Sequence, residues 1–155
     1  MVDRLGTRFR ADLTDPAIYS HWHRDVLRFG DLDPQEHVGH VNYGFIFQNA
    51  RLAYWSTVGL EGADPAEGLI VVRLCMDYLA DLRFPGAVRT GTRVLHVGTT
   101  SITVGAAMYD EDWTCVAIAE AVSVRSDPTS GKPRAWSQRQ RAALEAACFD
   151  LELIR

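Results

Sequence analysis

Hydrophobic and polar residues alternate with the period of a β-strand in the second half of the chain, whereas one earlier segment has a helical period. In residues 72–82 every second residue is apolar, and Arg73, Asp77 and Asp81 fall on the opposite face. Residues 42–58 instead carry an apolar helical stripe, with more large apolar residues on the other side. A helix that is apolar nearly all round has to be enclosed by other elements. The stripe consists of Tyr43, Ile46, Phe47, Ala50 and Tyr54, and the other side carries Phe45, Leu52 and Trp55.

Breaks rich in Gly, Pro and Asp divide the chain into five predicted strands and two predicted helices. Because the later strands follow one another through short turns, we expect an antiparallel sheet. One apolar helix with one such sheet gives an α+β fold, in which the sheet wraps around the central helix. The predicted strands are residues 22–29, 72–82, 92–97, 102–109 and 113–125; the helices are residues 42–58, between an Asn42 N-cap and Gly59, and a last helix from a Ser137 cap to Cys148.

The chain of 155 residues has the length of one domain. Residues 1–20 are polar and irregular and read as an N-terminal arm, with one turn near residues 16–19. Residues 21–155 form the single predicted domain, which ends in the C-terminal helix. A sheet with a helix on one face leaves its other face and its edges uncovered, so we expect a homodimer or a homotetramer.

Charge and composition exclude several classes of function. The net charge of −4 gives no general attraction for nucleic acid, so we expect no nucleic-acid partner. No apolar run reaches the roughly 18 residues of a membrane helix, and the N-terminus lacks a secretory signal, so we expect no membrane association. The three cysteines are odd in number and form no CxxC pair, which fits a cytoplasmic protein with reduced thiols.

Ionisable residues are concentrated in residues 31–51, DLDPQEHVGHVNYGFIFQNAR, directly before and at the start of the apolar helix. Three interpretations are open: a metal site, a surface loop without chemistry, or a catalytic carboxylate beside a helix N-terminus. An H-x-x-H spacing without H-E-x-x-H is a weak metal signal, and no clear further ligands occur elsewhere, so we expect no metal.

The same stretch resembles the hotdog-fold thioesterases of the 4-hydroxybenzoyl-CoA thioesterase superfamily. The resemblance extends from Tyr19 to about Leu144, and it implies a hotdog fold, in which a long antiparallel sheet wraps around one central helix. Departures occur at Glu36, Gly39 and Gln48, where family members carry other residues. The motif residues are Phe29, Asp31 and Asp33, then His37 and Val38, then His40, Asn42 and Tyr43, and finally Ala50 and Arg51.

Thioester hydrolysis needs a base or nucleophile on one side of the carbonyl and a donor for the developing oxyanion on the other. The resemblance implies that Asp33 is the catalytic carboxylate, either as nucleophile or as the base that activates water. It also implies that the backbone amide near His40 polarises the carbonyl and that Gly39 lets the substrate approach. His40 and His37 are further catalytic candidates, which would orient the substrate or protonate the leaving thiolate.

Four other residues are candidates for substrate binding. Asn42 and Tyr43 begin the helix and border the predicted pocket, while Ser101 and Thr103 lie in a segment that the resemblance places near the active site. The resemblance further implies that the site lies between protomers and needs no cofactor. A CoA phosphate needs basic groups, and the candidates near strand ends are Arg83, Arg89, Arg93, Lys132 and Arg134, each of which could equally be a solvated surface charge.

The predicted function is therefore an acyl-CoA thioesterase that releases a free acid and CoA. Two alternatives stay open: a non-catalytic hotdog module that binds acyl-CoA, and a thioesterase that acts on acyl carrier protein. The acyl group itself cannot be deduced from the sequence.

Overall fold

The computed structural model of the protein describes residues 12–60 and 68–148. The predicted α+β architecture is confirmed: five strands form one antiparallel sheet in the order β1-β3-β4-β5-β2, and one long helix packs on it. The strands are β1 (His21–Val26), β2 (Leu69–Tyr78), β3 (Ala87–Val97), β4 (Ser101–Tyr109) and β5 (Cys115–Arg125), and the helices are α1 (His40–Thr57) and α2 (Gln138–Ala147), with 3-10 turns at Pro16–Ile18 and Phe29–Asp31.

The long helix α1 contributes the largest side chains of the core. Its predicted apolar stripe is buried along its whole length, from Tyr43 to Tyr54, and Trp55 is buried as well. Phe45 and Leu52, on the other side, remain 56% and 43% exposed, so the described chain does not enclose the whole helix. The helix ends as predicted, because Gly59 follows it with a φ of +73°, a conformation that glycine adopts without strain.

Helix α1 packs on one face of the sheet, and its side chains share a core with residues of β2, β3, β4 and β5. It comes closest to β1 and β3 and approaches the backbone of β2 and β5 less closely. Consequently, Leu74 and Tyr78 of β2 remain 41% and 47% exposed, although Met76 packs against the core between them. The strand at this edge of the sheet is therefore covered only in part.

The second strand differs from its prediction at both ends. It runs from Leu69 to Tyr78 rather than over residues 72–82, and its pairing with β5 shifts between Val71 and Arg73. An irregularity of this kind breaks the strict alternation of faces, and Val72 is accordingly 60% exposed instead of buried. Leu82, predicted within the strand, is buried in the connection that follows it.

The other boundary differences concern strand starts and ends. Strand β3 begins at Ala87, five residues before the predicted start, because Thr90 and Gly91 pair with β1 despite their weak apolar signal. Strand β1 ends at Val26, since the chain turns into the 3-10 turn Phe29–Asp31. The sequence patterns thus predicted the position of each strand, but the predicted ends differ from the observed ends by a few residues.

Residues 12–20 pack on the face of the sheet opposite α1. Leu13 and Tyr19 are buried there against Tyr109, which alternates along β4 with residues that face α1. The Tyr19 hydroxyl donates to the Leu13 carbonyl at 2.6 Å, and the Tyr109 hydroxyl donates to the Thr14 carbonyl at 2.9 Å. This part of the predicted arm is attached to the domain, whereas residues 1–11 lie outside the described part of the chain.

The second helix starts at the predicted cap. The Ser137 hydroxyl accepts from the Gln140 amide, and the Gln140 side chain in turn accepts from the Ser137 amide, which is a capping box. Leu144 anchors the helix in the core beside Val94 and Trp55. Across residues 12–60 and 68–148, no helix is long and apolar enough to span a membrane.

Candidate active site

A tight loop before α1 presents Asp33. The Asp33 amide donates to the His37 carbonyl at 2.8 Å, and the Glu36 amide donates to the Asp33 carbonyl at 3.0 Å. Glu36 closes this turn in the left-handed region, with a φ of +63°. A backbone bridge between Leu32 and Val38 pairs the two arms of the loop.

The Asp33 carboxylate is held by one of its two oxygens. Its Oδ1 accepts from the Gln35 amide at 2.8 Å and from the His37 amide at 3.3 Å, a turn that aspartate commonly forms. Its Oδ2 has no hydrogen-bond partner among the described residues, and the side chain keeps part of its surface exposed. The carboxylate is thus oriented by the loop and free to act through the second oxygen.

Asp31, the other aspartate of the D-x-D pair, has a structural position. It is 9% exposed, its Oδ2 accepts from the Arg28 amide at 2.8 Å, and it lies 3.6 Å from the Arg28 Nε. Its carbonyl accepts from the Gly39 amide at 2.9 Å and from the Asn42 Nδ2 at 2.8 Å. Asp31 therefore fastens the loop to the first turn of α1.

The predicted N-cap at Asn42 is wrong. The helix begins at His40 and its N-cap is Gly39, because the Asn42 side chain is turned towards the Asp31 carbonyl and lies within the first turn. Glycine has no side chain that could accept from the helix amides, and α1 accordingly has no side-chain cap.

The uncapped end of α1 leaves backbone donors open beside Asp33. The first amides of a helix lack acceptors within it. Here the Gly39 amide donates to the Asp31 carbonyl, and the Asn42 amide donates to the Gly39 carbonyl. This leaves the amides of His40 and Val41 at the positive end of the helix dipole. A Cβ built on Gly39 would lie 3.8 Å from the Asp33 Cβ, so carboxylate and helix end are neighbours.

The two residues that open the helix have different surroundings. The His40 side chain is exposed, and its carbonyl accepts from the Tyr78 hydroxyl at 3.3 Å. The Tyr43 ring is buried and meets the Tyr78 ring edge-on, with centroids 5.1 Å apart. Burial, with Asp81 and Tyr78 nearby, raises the pKa of Tyr43 to about 12, so the phenol stays protonated near neutral pH.

His37 lies in a charged cluster beside the loop. Its Nε2 is 2.6 Å from the Arg83 Nη2 and 3.8 Å from the Asp81 Oδ2, and Arg83 is 3.6 Å from the same Asp81 oxygen. Because arginine can only donate, the contact with Arg83 needs the Nε2 of His37 as its acceptor. Protonating a leaving thiolate from Nε2 would require this contact to open.

Ser101 and Thr103 lie far from Asp33 within one protomer. Both are at the start of β4, and their neighbours Ile102 and Val104 pack with the C-terminal half of α1. The helix has 18 residues, so its two ends are about 27 Å apart. The structure therefore does not bring these two residues to the loop of the same chain.

Tyr78 and Asp81 border the site but were not among the sequence candidates. Both are polar residues near the end of a predicted apolar strand, which is a feature that the sequence shows. Nothing in the sequence indicates that this strand end contacts the start of the helix. In residues 12–60 and 68–148, no group of three or more His, Cys, Asp or Glu side chains is arranged to hold a metal ion.

A family model matches most of the chain. The model of the thioesterase-like superfamily matches residues 27–144, which include the loop, α1 and four of the five strands. The chain belongs to this superfamily. No curated protein matches the sequence.

Solved structures with the hotdog fold of this superfamily resemble the protein along most of its length. The PA5185 protein from Pseudomonas aeruginosa strain PAO1 is 29% identical, with a TM-score of 0.76 over 87% of this chain and 96% of that one. A thioesterase-superfamily protein from Jannaschia sp. CCS1 is 25% identical, with a TM-score of 0.77 over 85% of each chain. A DHNA-CoA thioesterase from Staphylococcus aureus, at 21% identity and a TM-score of 0.74, covers 81% of this chain and 88% of its own and shares the fold.

Proposed function

We propose that the protein is an acyl-CoA thioesterase in which Asp33 is the catalytic carboxylate. The observation that carries this proposal is the juxtaposition of Asp33, with one free carboxylate oxygen, and the uncapped N-terminus of α1. Membership of the thioesterase-like superfamily supports a hydrolase, and the fold is shared with a protein named as a DHNA-CoA thioesterase. The family supports thioester hydrolysis, and the name of the structural relative favours CoA as the carrier.

The two parts of the site have complementary roles in this proposal. The thioester oxygen is placed against the amides of His40 and Val41, where the helix end stabilises the negative charge of the tetrahedral intermediate. The Oδ2 of Asp33 acts from the other side of the carbonyl carbon. It either attacks the carbon and expels the CoA thiolate to form a mixed anhydride, which water then hydrolyses, or it removes a proton from a water molecule whose attack expels the thiolate. In both cases the thiolate leaves with the electrons of the C–S bond and takes up a proton.

The remaining candidates act around these two groups. Gly39 provides space between Asp33 and the helix amides, and Asn42 positions the loop through the Asp31 carbonyl. Tyr43 supports Tyr78, whose hydroxyl contacts the His40 carbonyl. The His40 side chain is exposed at the entrance and is the better placed of the two histidines to contact the CoA thiol, because His37 is engaged by Arg83.

A second copy of the chain completes the site in this proposal. The edge strand β2 exposes apolar side chains at Ile70, Val71 and Val72, which are 53%, 39% and 60% exposed. An exposed apolar edge strand pairs readily with another strand, and two β2 strands would join the sheets of two protomers. Ser101 and Thr103 do not reach the site of their own chain, and in such a dimer they would contribute to the site of the partner.

Asp33→Asn is the experiment that tests the carboxylate. The asparagine carbonyl oxygen can still accept from the Gln35 and His37 amides, so the loop should keep its shape. We expect thiol release from a panel of aliphatic and aromatic acyl-CoAs to fall by at least about two orders of magnitude. Glu36→Gln, the same chemical change at an exposed position of the same loop, should leave the rate unchanged.

Other outcomes would favour the alternatives. Binding of acyl-CoA without hydrolysis by the wild type would support a non-catalytic binding module. Hydrolysis of acyl carrier protein thioesters but not of acyl-CoA would mean that the acyl group of the substrate is carried by acyl carrier protein and not by CoA. Full activity of Asp33→Asn would contradict the assignment and direct attention to Glu36, His37 and His40.

A further inference from the structure

One face of α1 points away from the sheet and carries exposed apolar side chains. Val41 is 59% exposed, and Phe45 and Leu52 are exposed beside it. Together with the exposed Gln48, these residues follow one another at intervals of four, three and four positions, so they form one stripe along the helix. This spacing is that of the contact positions between two packed helices. We call Val41, Phe45, Gln48 and Leu52 the outer stripe of α1.

The surface of α1 also lacks the charged side chains that a solvated helix usually carries. Arg51, on the flank that faces the sheet, is the only Asp, Glu, Lys or Arg among the 18 residues His40–Thr57. The shorter α2 shows the contrast, because its exposed positions include Arg139, Arg141 and Glu145. A surface that is poor in charge and carries large apolar side chains is typical of the centre of a protein–protein interface. The outer stripe therefore has the composition of a covered surface.

The outer stripe matches a second copy of itself in the antiparallel order. Val41 then lies opposite Leu52, and Phe45 lies opposite Gln48, so each level of the contact combines a smaller with a larger side chain. In the parallel order Phe45 would meet Phe45 and Val41 would meet Val41, which would space the two helices unevenly. The parallel order would also bring two uncapped, positive helix ends together. A two-fold axis at the middle of the stripe generates the antiparallel contact, and this is the commonest symmetry of homo-oligomers.

We propose that the outer stripe of α1 is a second self-association surface, through which two copies of the chain pack helix against helix in the antiparallel order. The stripe is about 16 Å long, so a single contact of this kind is smaller than most stable interfaces. Two contacts form together when each partner is a dimer joined at β2, because the two-fold axis of that dimer leaves both helices on the same face of the joined sheet. The resulting assembly is a tetramer.

A charge on the outer stripe tests this contact by sedimentation velocity. Phe45→Glu places a carboxylate in the middle of the stripe, and the fold should be retained because the Phe45 side chain is exposed. We expect the wild type to sediment as a tetramer and both Phe45→Glu and Leu52→Glu to sediment as dimers. Ala142→Glu is the matched control, since it adds the same charge at an exposed position of α2, and it should sediment as the wild type.

Combination with Val72→Asp separates the outer stripe from the β2 edge. Phe45→Glu should leave a stable dimer, Val72→Asp should leave a weaker dimer that dissociates on dilution, and the double variant should be a monomer. A wild type that is a dimer, and stays one in Phe45→Glu, would overturn the inference. A wild-type dimer that becomes a monomer in Phe45→Glu but not in Val72→Asp would support the outer stripe and contradict the β2 edge. Thioester hydrolysis enters none of these measurements, so its absence would contradict only the proposed function.

Cysteine cross-linking tests the antiparallel order. A chain with both Val41→Cys and Leu52→Cys should form a disulfide between two copies under mild oxidation, visible as a covalent dimer on a non-reducing gel. The two positions are about 16 Å apart on one helix, which is too far for a disulfide within the chain. Val41→Cys alone should give no covalent dimer, and the wild type with its native cysteines is the blank. A cross-link in that single variant would indicate the parallel order and contradict the proposed one.

A different occupant of the outer stripe would give a different result. A wild type that sediments as Phe45→Glu does, and that floats with phosphatidylcholine vesicles while Phe45→Glu does not, would assign the stripe to a lipid surface. That outcome would overturn the inference of a second self-association surface.

Discussion

At the scale of single residues, the site depends on groups that the chain leaves unoccupied. Asp33 uses one carboxylate oxygen to shape its loop and keeps the other open, and Gly39 begins a helix without covering its amides. The family resemblance at the D-x-D motif predicts the catalytic role of Asp33, and this role stays a prediction. Tyr78 could not be predicted, because its contact with the His40 carbonyl depends on how β2 meets α1.

Gly39→Ala tests whether the space at the helix end is used by substrate. The new Cβ would meet the Asn42 Nδ2 and the Asp31 carbonyl at 3.6 Å, which is ordinary contact, so the free energy of unfolding should change little. A methyl group beside Asp33 should nevertheless obstruct the carbonyl, and we expect kcat/KM for acyl-CoA to fall at least about tenfold.

The control for this change is Gly44→Ala. A Cβ at this helical position meets nothing within 4 Å, and alanine favours a helix over glycine by about 1 kcal/mol. The variant should therefore be more stable in urea unfolding and should hydrolyse at the wild-type rate. Normal activity of Gly39→Ala would show that the substrate does not pass over Gly39.

At the scale of elements, the strength of the periodic pattern decided how well each one was predicted. Helix α1 and its buried stripe were predicted nearly completely, since large apolar side chains recur there at helical spacing. The irregularity near Val72 and the early start of β3 were missed, because the pairing with neighbouring strands fixes both. The packing of residues 12–20 was missed for the same reason: short segments without a pattern are placed by tertiary contacts.

Gly91→Ala tests the attachment of that segment to the sheet. A Cβ at Gly91 would approach the Tyr19 ring to 2.5 Å, so the ring has to move and the buried hydrogen bond from Tyr19 to the Leu13 carbonyl is disturbed. We expect the free energy of unfolding to fall by about 1–3 kcal/mol, measured by urea denaturation. The Michaelis constant should not change, since Asp33 lies on the other side of the sheet. An unchanged free energy of unfolding would mean that the Tyr19 ring moves aside without cost.

At the scale of the whole molecule, the two sheet edges differ in a way that favours one mode of association. Three of the six residues of β1 are His23, Arg24 and Asp25, whereas only Arg73 and Asp77 of the ten residues of β2 are charged, and β2 exposes Ile70, Val71 and Val72. Charged residues discourage pairing of edge strands, so β2 is the edge that we expect to pair. The uncovered sheet predicted an oligomer from the sequence alone. Which strands form the two edges of the sheet, and therefore which of them could pair, is given only by the strand order.

Val72→Asp tests the proposed dimer and should disrupt it. Val72 is 60% exposed on β2, and a charged side chain on an edge strand discourages its pairing with another strand. We expect sedimentation velocity to detect a smaller species, together with loss of hydrolysis if Ser101 or Thr103 of the partner contributes to the site. Val26→Asp, at a 61% exposed position of β1, is the control and should sediment as the wild type.

The uncapped start of α1 has a consequence for attempts to improve the protein. Serine at position 39 would supply the missing cap, since Gly39 already has the extended backbone that N-caps adopt, and such a change stabilises by a few tenths of a kcal/mol. Its hydroxyl would occupy the amides that receive the thioester oxygen in the proposed mechanism. A screen that selects only for heat resistance would accordingly accept Gly39→Ser and return an inactive protein, so stability and turnover have to be selected together at this position.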